Sequence, residues 1–443
     1  MHNRFPLSMN PTGATFNIAK NTIKAWRVAE EYGIDLVVVN PSFVVGPLLA
    51  PQPTSTLQII LGKVKGMIGE YANSRLGFVH IEDVVGAHIL VMEEQKASAC
   101  ESGEEKETKK MPEYCVTGGT GFIAAYLIKA LLLKGHIVRT TVRDPDNAEK
   151  VGFLWELEGA KERLKIMKAD LLVEGSFDDA IQGVDGVFHT ASPVLVPYDD
   201  NIQASFTFLN PFYFIFKTLI DPCVNGTLNV LNSCKKSSTL KRLVLTSSCS
   251  SIRYREDAQQ NSPLNESHWS DLQYCQKYNL WYAYAKTKAE KEAWTVAEEC
   301  GIDLVVVNPS FVVGPLLAPQ PTSTLQIILG TVKGMIGEYA NRRLGFVHIE
   351  DVVGAHILVM EEQKASGRYI CSNSVRHMSQ INDLLRTKYP SYPHENKCGN
   401  QQGEDIPHSM DTSKITQLGL PPLKSLNEMF DDCIQSFQEK GFL

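Results

Sequence analysis

The stretch Tyr114-Cys-Val-Thr-Gly-Gly-Thr-Gly-Phe-Ile-Ala-Ala-Tyr-Leu, ending at Leu127, narrows what this chain can fold into more than any other. A short apolar run ends at Val116, a glycine-rich turn spans Thr117 to Gly121, and an apolar helical pattern runs from Phe122 to Leu133. Strand, tight turn and helix in that order make a dinucleotide-binding βα unit. Gly118 permits the turn, Gly121 lets backbone approach a pyrophosphate, and Ala124 is small enough for the helix to lie against the strand. The helix N-terminus then offers N–H groups and a positive dipole to the phosphates. The spacing is T-G-x-x-G-x-x-A, not the commoner G-x-G-x-x-G, so the motif draws its weight from what surrounds it.

What surrounds it is an alternation of strands and helices. Apolar runs predict strands at 136–142, 164–168, 186–189, 242–246 and 304–308, with a helix over 225–233 and another carrying Tyr282. Beyond Gly314 proline and glycine become denser, and shorter helices are expected at 379–387 and 426–439. The pattern predicts an α/β fold: a Rossmann-type doubly wound parallel sheet with a smaller C-terminal substrate-binding lobe, mainly after 314.

Two groups of residues carry chemistry on this frame. Arg143, in Val142-Arg-Asp-Pro at the end of the second strand, stands where an NAD site wants a carboxylate for the ribose hydroxyls. An arginine there pairs instead with the 2′-phosphate of NADP, and Lys150 adds a second positive charge; a solvated Arg in a βα loop is the bland alternative. Asp170 and Leu171, after the third strand, are placed to meet the adenine, the alternative for Asp170 being a helix cap. The stronger signal is Tyr282-Ala-Tyr-Ala-Lys286 on a helix downstream of Thr246-Ser-Ser248 at a strand end. Tyr282 and Lys286, at i and i+4, share one helical face. A nearby ammonium favours the phenolate and makes tyrosine a usable acid near neutral pH. Ser248 can hydrogen-bond the same substrate oxygen. Y-x-x-x-K by itself is common and Tyr284 is a rival; the conjunction with the glycine loop, the Arg and the Ser is specific. His348 reads as a satisfied histidine at a strand-to-helix junction, and His189 as a strand end without a proton-transfer role.

Organisation along the 443 residues is unusual. Residues 25–98 recur almost verbatim at 293–366; the differences are Arg27/Thr295, Tyr32/Cys300, Lys63/Thr331 and Ser74/Arg342. One long copied block is a partial duplication, not a solenoid. Residues 1–98 thus read as a truncated duplicate without cofactor loop or catalytic pair, 99–110 as a charged solvated linker, and 111–443 as the dinucleotide-binding unit that carries both. The net charge of −7 disfavours a nucleic-acid partner, and the ten scattered cysteines suit free thiols in a reducing compartment. The opening residues lack a signal-peptide core, and the most apolar run, 206–220, is broken by Asn210, Pro211 and Lys217. A cytoplasmic chain without membrane insertion or metal site is expected.

The motifs Thr117-Gly-Gly-Thr-Gly-Phe-Ile-Ala, Thr140-Thr-Val-Arg-Asp-Pro, Gly186-Val-Phe-His-Thr-Ala-Ser-Pro, Thr246-Ser-Ser, Tyr282-x-x-x-Lys286 and Asn308-Pro-Ser-Phe-Val-Val-Gly-Pro resemble those of the extended short-chain dehydrogenase/reductases of plants. The likeness is to the dihydroflavonol reductase and cinnamoyl-CoA reductase group and covers essentially all of 111–443. Ser250-Ser-Ile-Arg-Tyr-Arg, Leu264-Asn-Glu-Ser-His-Trp-Ser-Asp and Asn279-Leu-Trp-Tyr-Ala-Tyr-Ala-Lys look most like the branch that reduces a ketone on a polyketide-derived tetraketide α-pyrone for pollen-wall sporopollenin. Leu280 and Ala283 depart from the cinnamoyl-CoA pattern, and Arg253 stands where dihydroflavonol reductases usually place a substrate-contacting Asn. The resemblance implies Ser248, Tyr282 and Lys286 as catalytic residues and NADPH as cofactor. Its implied cofactor contacts are Thr117, Gly118, Thr120, Gly121, Phe122, Ile123, Arg143, Lys150, Asp170, Leu171, Thr190, Ala191, Ser192, Tyr282, Lys286, Pro309, Val312 and Thr324. A small-molecule ketone and association with the pathway's polyketide-forming enzymes are the implied partners. A dihydroflavonol or cinnamoyl-CoA substrate, or a non-catalytic product of tandem duplication, are the alternatives. One departure is the aromatic insert at about 205–217, which reads like translated intron and is expected beside the active-site cleft.

Overall fold

The computed structural model describes residues 43–45, 78–80, 111–193 and 215–443. The chain divides into two compact units, Met1–Lys109 and Lys110–Leu443. In the first, strands β1 (Phe43–Val45) and β2 (Phe78–His80) pair in parallel, Phe43 opposite Phe78. The equivalent residues of the second unit, β9 (Phe311–Val313) and β10 (Arg343–His348), pair in the same register, Phe311 opposite Phe346. Like sequence has produced like local pairing. The rest of residues 1–110 and of the expected insert, 205–214, lie outside the described residues.

In the second unit β3 (Glu113–Thr117), β4 (Ile137–Val142), β5 (Leu164–Lys168), β6 (Gly186–His189), β7 (Arg242–Thr246), β8 (Leu304–Pro309) and β11 (Gly367–Cys371) form one parallel sheet, ordered β11-β8-β7-β6-β3-β4-β5. The order turns back on itself between β3 and β6, the switch point at which such sheets open a ligand crevice beyond the strand ends.

Burial of both faces explains why the inner strands β6, β7 and β8 are mostly apolar, whereas β5 at the edge exposes Lys165 and Lys168. Tyr114, Val116, Phe188, Val244, Val305 and Val307 face one layer, with helix α1 (Phe122–Leu133) and the helix Ile349–Glu361. Their neighbours Cys115, Val187, Leu243, Leu245 and Val306 face the other, where α2 (Asp221–Lys236) and α3 (Trp281–Cys300) supply Val230, Leu231, Ala293 and Ala297. Together the two layers make the doubly wound Rossmann-type sheet that the alternation predicts. All nine described cysteines are free, and seven are buried.

The chain beyond 314 is not confined to a separate lobe, because β11 returns to pair with β8. The smaller sheet β12-β10-β9, with β12 at Ser374–His377, and the helices Met378–Lys388 and Leu426–Glu439 complete the C-terminal part. The described end of the insert joins α2 through the π-turn Phe216–Ile220, with Ile215, Leu219 and Ile220 buried against Ala285 and Ala289 of α3. Among the described residues no helix is long and apolar enough to cross a membrane, and no cluster could hold a metal ion.

Candidate active site

Gly118 takes φ +75°, a left-handed value that side chains rarely adopt, and the N–H groups of Gly118 and Gly119 both donate to Thr141 O at 3.0 and 2.9 Å. A Cβ on Gly119 would lie 2.3 Å from Thr140 Oγ1, so the loop tolerates only glycine against β4. Beyond it α1 begins at Gly121 with no side-chain cap and no acidic residue in its first turn. An uncapped positive helix end beside a tight glycine loop suits a pyrophosphate. Phe122 and Val312 are buried and Ile123 half-buried in the core, so their side chains support the loop from behind. Arg143, just after β4, and Lys150, in the helix Ala148–Trp155 that follows, are exposed, and the Arg143 guanidinium makes no hydrogen bond or ion pair among the described residues. These features fit a phosphorylated dinucleotide.

The second loop of the crevice is tied to the first. Thr117 Oγ1 accepts the N–H groups of Thr190 (3.1 Å) and Ala191 (3.0 Å), which leaves its own proton for His189 Nδ1 at 2.9 Å. His189 Nε2 therefore carries the hydrogen and faces Thr227 Oγ1 at 3.4 Å. Burial, and secondarily the Lys286 charge, hold His189 down at a pKa of about 3, so it is a neutral strut. Thr190 Oγ1 donates to Thr117 O, and Ser192 lies half-buried by Cys223. Asp170 Oδ1 accepts Leu172 N at 2.9 Å in a local turn, while Leu171 packs at Gly226 of α2. Thr324 Oγ1 is committed to Val312 O at 2.6 Å, and Pro309 is buried at the end of β8.

Helix α3 presents Tyr282 and Lys286. Tyr282 is 36% exposed and Lys286, one turn on, only 7%. Lys286 Nζ points at Thr246 O, 3.4 Å away at the end of β7, next to Ser247 and Ser248. Ser248 Oγ accepts Ser250 N at 3.0 Å, which leaves its hydroxyl proton free to donate outward. The rival Tyr284 packs edge-on to Trp281, ring centroids 6.1 Å apart, in the cluster that receives Ile215 and Phe216. His348 caps the helix Ile349–Glu361 by accepting Glu350 N, a structural duty as expected from its position.

One functional feature escapes sequence reasoning. Glu290, two turns after Tyr282, is 1% exposed. Its Oε2 accepts Ser247 Oγ (2.5 Å), Ser251 Oγ (2.5 Å) and Asn308 Nδ2 (3.0 Å), and its Oε1 pairs with Arg368 Nε at 2.6 Å. The carboxylate thus ties helix α3 to the turn that carries Ser248, to β8 and to β11. Within Lys-Ala-Glu-Lys the residue looks like any solvated helix glutamate.

A dinucleotide crevice at the switch point, with a Tyr/Lys helix and a Ser-bearing strand end beside it, defines a nicotinamide-dependent dehydrogenase or reductase. Residues 114–371 match the NAD dependent epimerase/dehydratase family, and the chain belongs to it. It is an oxidoreductase of the extended short-chain dehydrogenase/reductase type. The chain is 67% identical over 334 residues to tetraketide alpha-pyrone reductase 2 of Arabidopsis thaliana, covering 75% of this chain and all of that one. It is 39% identical to dihydroflavonol 4-reductase of the same plant over 74% of this chain and 83% of the relative. The crystal structure of vestitone reductase from alfalfa superposes with a TM-score of 0.61 at 34% identity, over 75% of this chain and 99% of that one.

Proposed function

We propose that residues 111–443 form an NADPH-dependent reductase that converts the ketone of a tetraketide α-pyrone to the alcohol, a step of sporopollenin formation. The observation that carries the substrate reading is the 67% identity over the whole length of a tetraketide alpha-pyrone reductase. Arg143, exposed just after β4 and without a partner among the described residues, supports NADPH over NADH.

Bound NADPH supplies the hydride. Ser248 donates its free proton to the ketone oxygen and holds it, and Tyr282 gives that oxygen its proton. The Lys286 ammonium, on the same helical face, stabilises the phenolate left behind. Because Tyr282 is exposed, water can reprotonate it.

In this reading residues 1–98 are a truncated duplicate that contributes no catalytic group, 99–110 is a linker, and the enzyme works in the cytoplasm beside the enzymes that make the pyrone. NADPH oxidation by the full chain and by a shortened chain starting at Met111, each offered an alkyl tetraketide α-pyrone, a dihydroflavonol and a cinnamoyl-CoA, tests it. Pyrone-dependent oxidation by both is the expected result. Turnover of only a dihydroflavonol or cinnamoyl-CoA would reassign the substrate, and activity confined to the shortened chain would make residues 1–110 inhibitory.

Arg143→Ala should raise KM for NADPH by about tenfold or more, the worth of a lost charge-assisted contact, and leave KM for NADH nearly unchanged. Equal effects on both cofactors would remove Arg143 from 2′-phosphate recognition.

A further inference from the structure

We propose that the buried guanidinium of Arg253, with Arg342 close by, forms an anion subsite that takes the ionised enol oxygen of the pyrone ring. The inference rests on the substrate reading above and adds to it the charge state in which the substrate binds.

Arg253 follows Ser248 by five residues. The short helical turn Cys249–Ser251 folds the chain back, with Ser251 N donating to Ser248 O (2.9 Å) and Arg253 N to Cys249 O (3.2 Å). Tyr254 is buried in one cluster with Ala283, the residue after Tyr282. The turn thus keeps Arg253 on the segment that carries Ser248, and its neighbour Tyr254 packs on the helix that carries Tyr282.

Its side chain is 4% exposed and poorly compensated. The guanidinium stacks on the Tyr254 ring at 3.8 Å, and Nη2 donates to the Tyr254 hydroxyl. The nearest carboxylate, Glu404, has its Oε1 4.0 Å away, and that oxygen already accepts the Tyr254 proton at 2.8 Å. Nε and Nη1 of Arg253 make no hydrogen bond among the described residues. Arg342, whose charge also acts on Tyr254, has a buried Nε with no partner among the described residues. Arg343 and the exposed Asp405 add one charge of each sign nearby, and His408 is held neutral by burial and by Arg253. The Arg253 guanidinium therefore faces one carboxylate, and that carboxylate is already engaged by Tyr254. A buried cation without full pairing is costly, and arginine's fork suits a planar oxyanion.

The substrate class carries such an oxyanion. A tetraketide bears oxygen on carbons one, three, five and seven. Closing the enol oxygen of carbon five onto carbon one makes the α-pyrone, leaves the carbon-three oxygen as a vinylogous acid, and leaves carbon seven as a ketone one methylene from the ring. One molecule thus presents an acidic oxygen and a reducible ketone at fixed separation.

The test uses the full chain. Calorimetry with the ring alone, a methyl group replacing its side chain, should show binding at least about tenfold tighter than that of its enol methyl ether, which cannot ionise. Steady-state kinetics should show Arg253→Met raising KM for the tetraketide pyrone about tenfold or more while leaving KM for its enol ether within about twofold, with Arg253→Lys partly restoring the preference. An unchanged NADPH affinity certifies the fold of each variant. Equal binding of ring and ether by the unaltered chain, or Arg253→Met acting equally on both ketones, would overturn the subsite. Failure of the parent reading looks different: no pyrone turnover by the unaltered chain, whichever ring form it binds.

Discussion

Tyr282→Phe should lower turnover by about 10²- to 10⁴-fold, the usual worth of a positioned acid, and leave NADPH affinity unchanged. The substitution removes one hydroxyl and nothing else. That hydroxyl makes no hydrogen bond among the described residues, the ring is 36% exposed, and α3 keeps its packing through Ala285, Ala289 and Ala293. Stability is therefore expected to stay within about 0.5 kcal/mol, as for surface substitutions away from special features. Stopped-flow NADPH oxidation with the pyrone measures the first effect and cofactor fluorescence titration the second. Retained turnover would move the proton-donor role elsewhere; Tyr284 is a poor heir, wedged against Trp281.

Glu290→Ala should cost about 3–5 kcal/mol in urea unfolding, because it strands Arg368, 6% exposed, without its partner. It also removes the acceptor on which Ser247 Oγ, Ser251 Oγ and Asn308 Nδ2 converge, although Ser248 O still accepts from Ser251 and Asn308. Glu290→Gln keeps an oxygen for those donors yet loses the charge facing Arg368, so its cost should fall below that of alanine. Adding Arg368→Met to Glu290→Gln should recover stability, since removing both charges of a buried pair is often near neutral whereas removing one is not. Turnover should follow, because Ser247 precedes Ser248 and the same carboxylate anchors the helix bearing Tyr282. Additive effects of the two substitutions would mean that the pair is not coupled.

Much of this molecule is legible in one dimension because its main periodicities are local. The strands at 164–168, 186–189 and 242–246 have the same bounds in sequence and structure; the last two lie inside the sheet and are buried at every position, whereas 164–168, at the sheet edge, exposes Lys165 and Lys168. The glycine loop and the Tyr282/Lys286 spacing are equally local: a left-handed turn at Gly118 and a shared helical face are properties of a few consecutive residues. β11 was not legible. Gly-Arg-Tyr-Ile-Cys has too short an apolar run to announce a strand, and it becomes one only by pairing with β8 and by sending Arg368 to a glutamate 78 positions away.

What the sequence by itself determined is therefore the frame: a Rossmann-type sheet, a tight glycine turn at Gly118–Gly121 before a helix, a positive charge at Arg143, and Tyr282 and Lys286 on one helical face. Only the tertiary structure decided which charges go inside. Glu290, Arg368 and Arg253 carry side chains that a sequence places in water by default. Each is buried because partners from distant segments close over it, and no periodicity records that kind of long-range compensation.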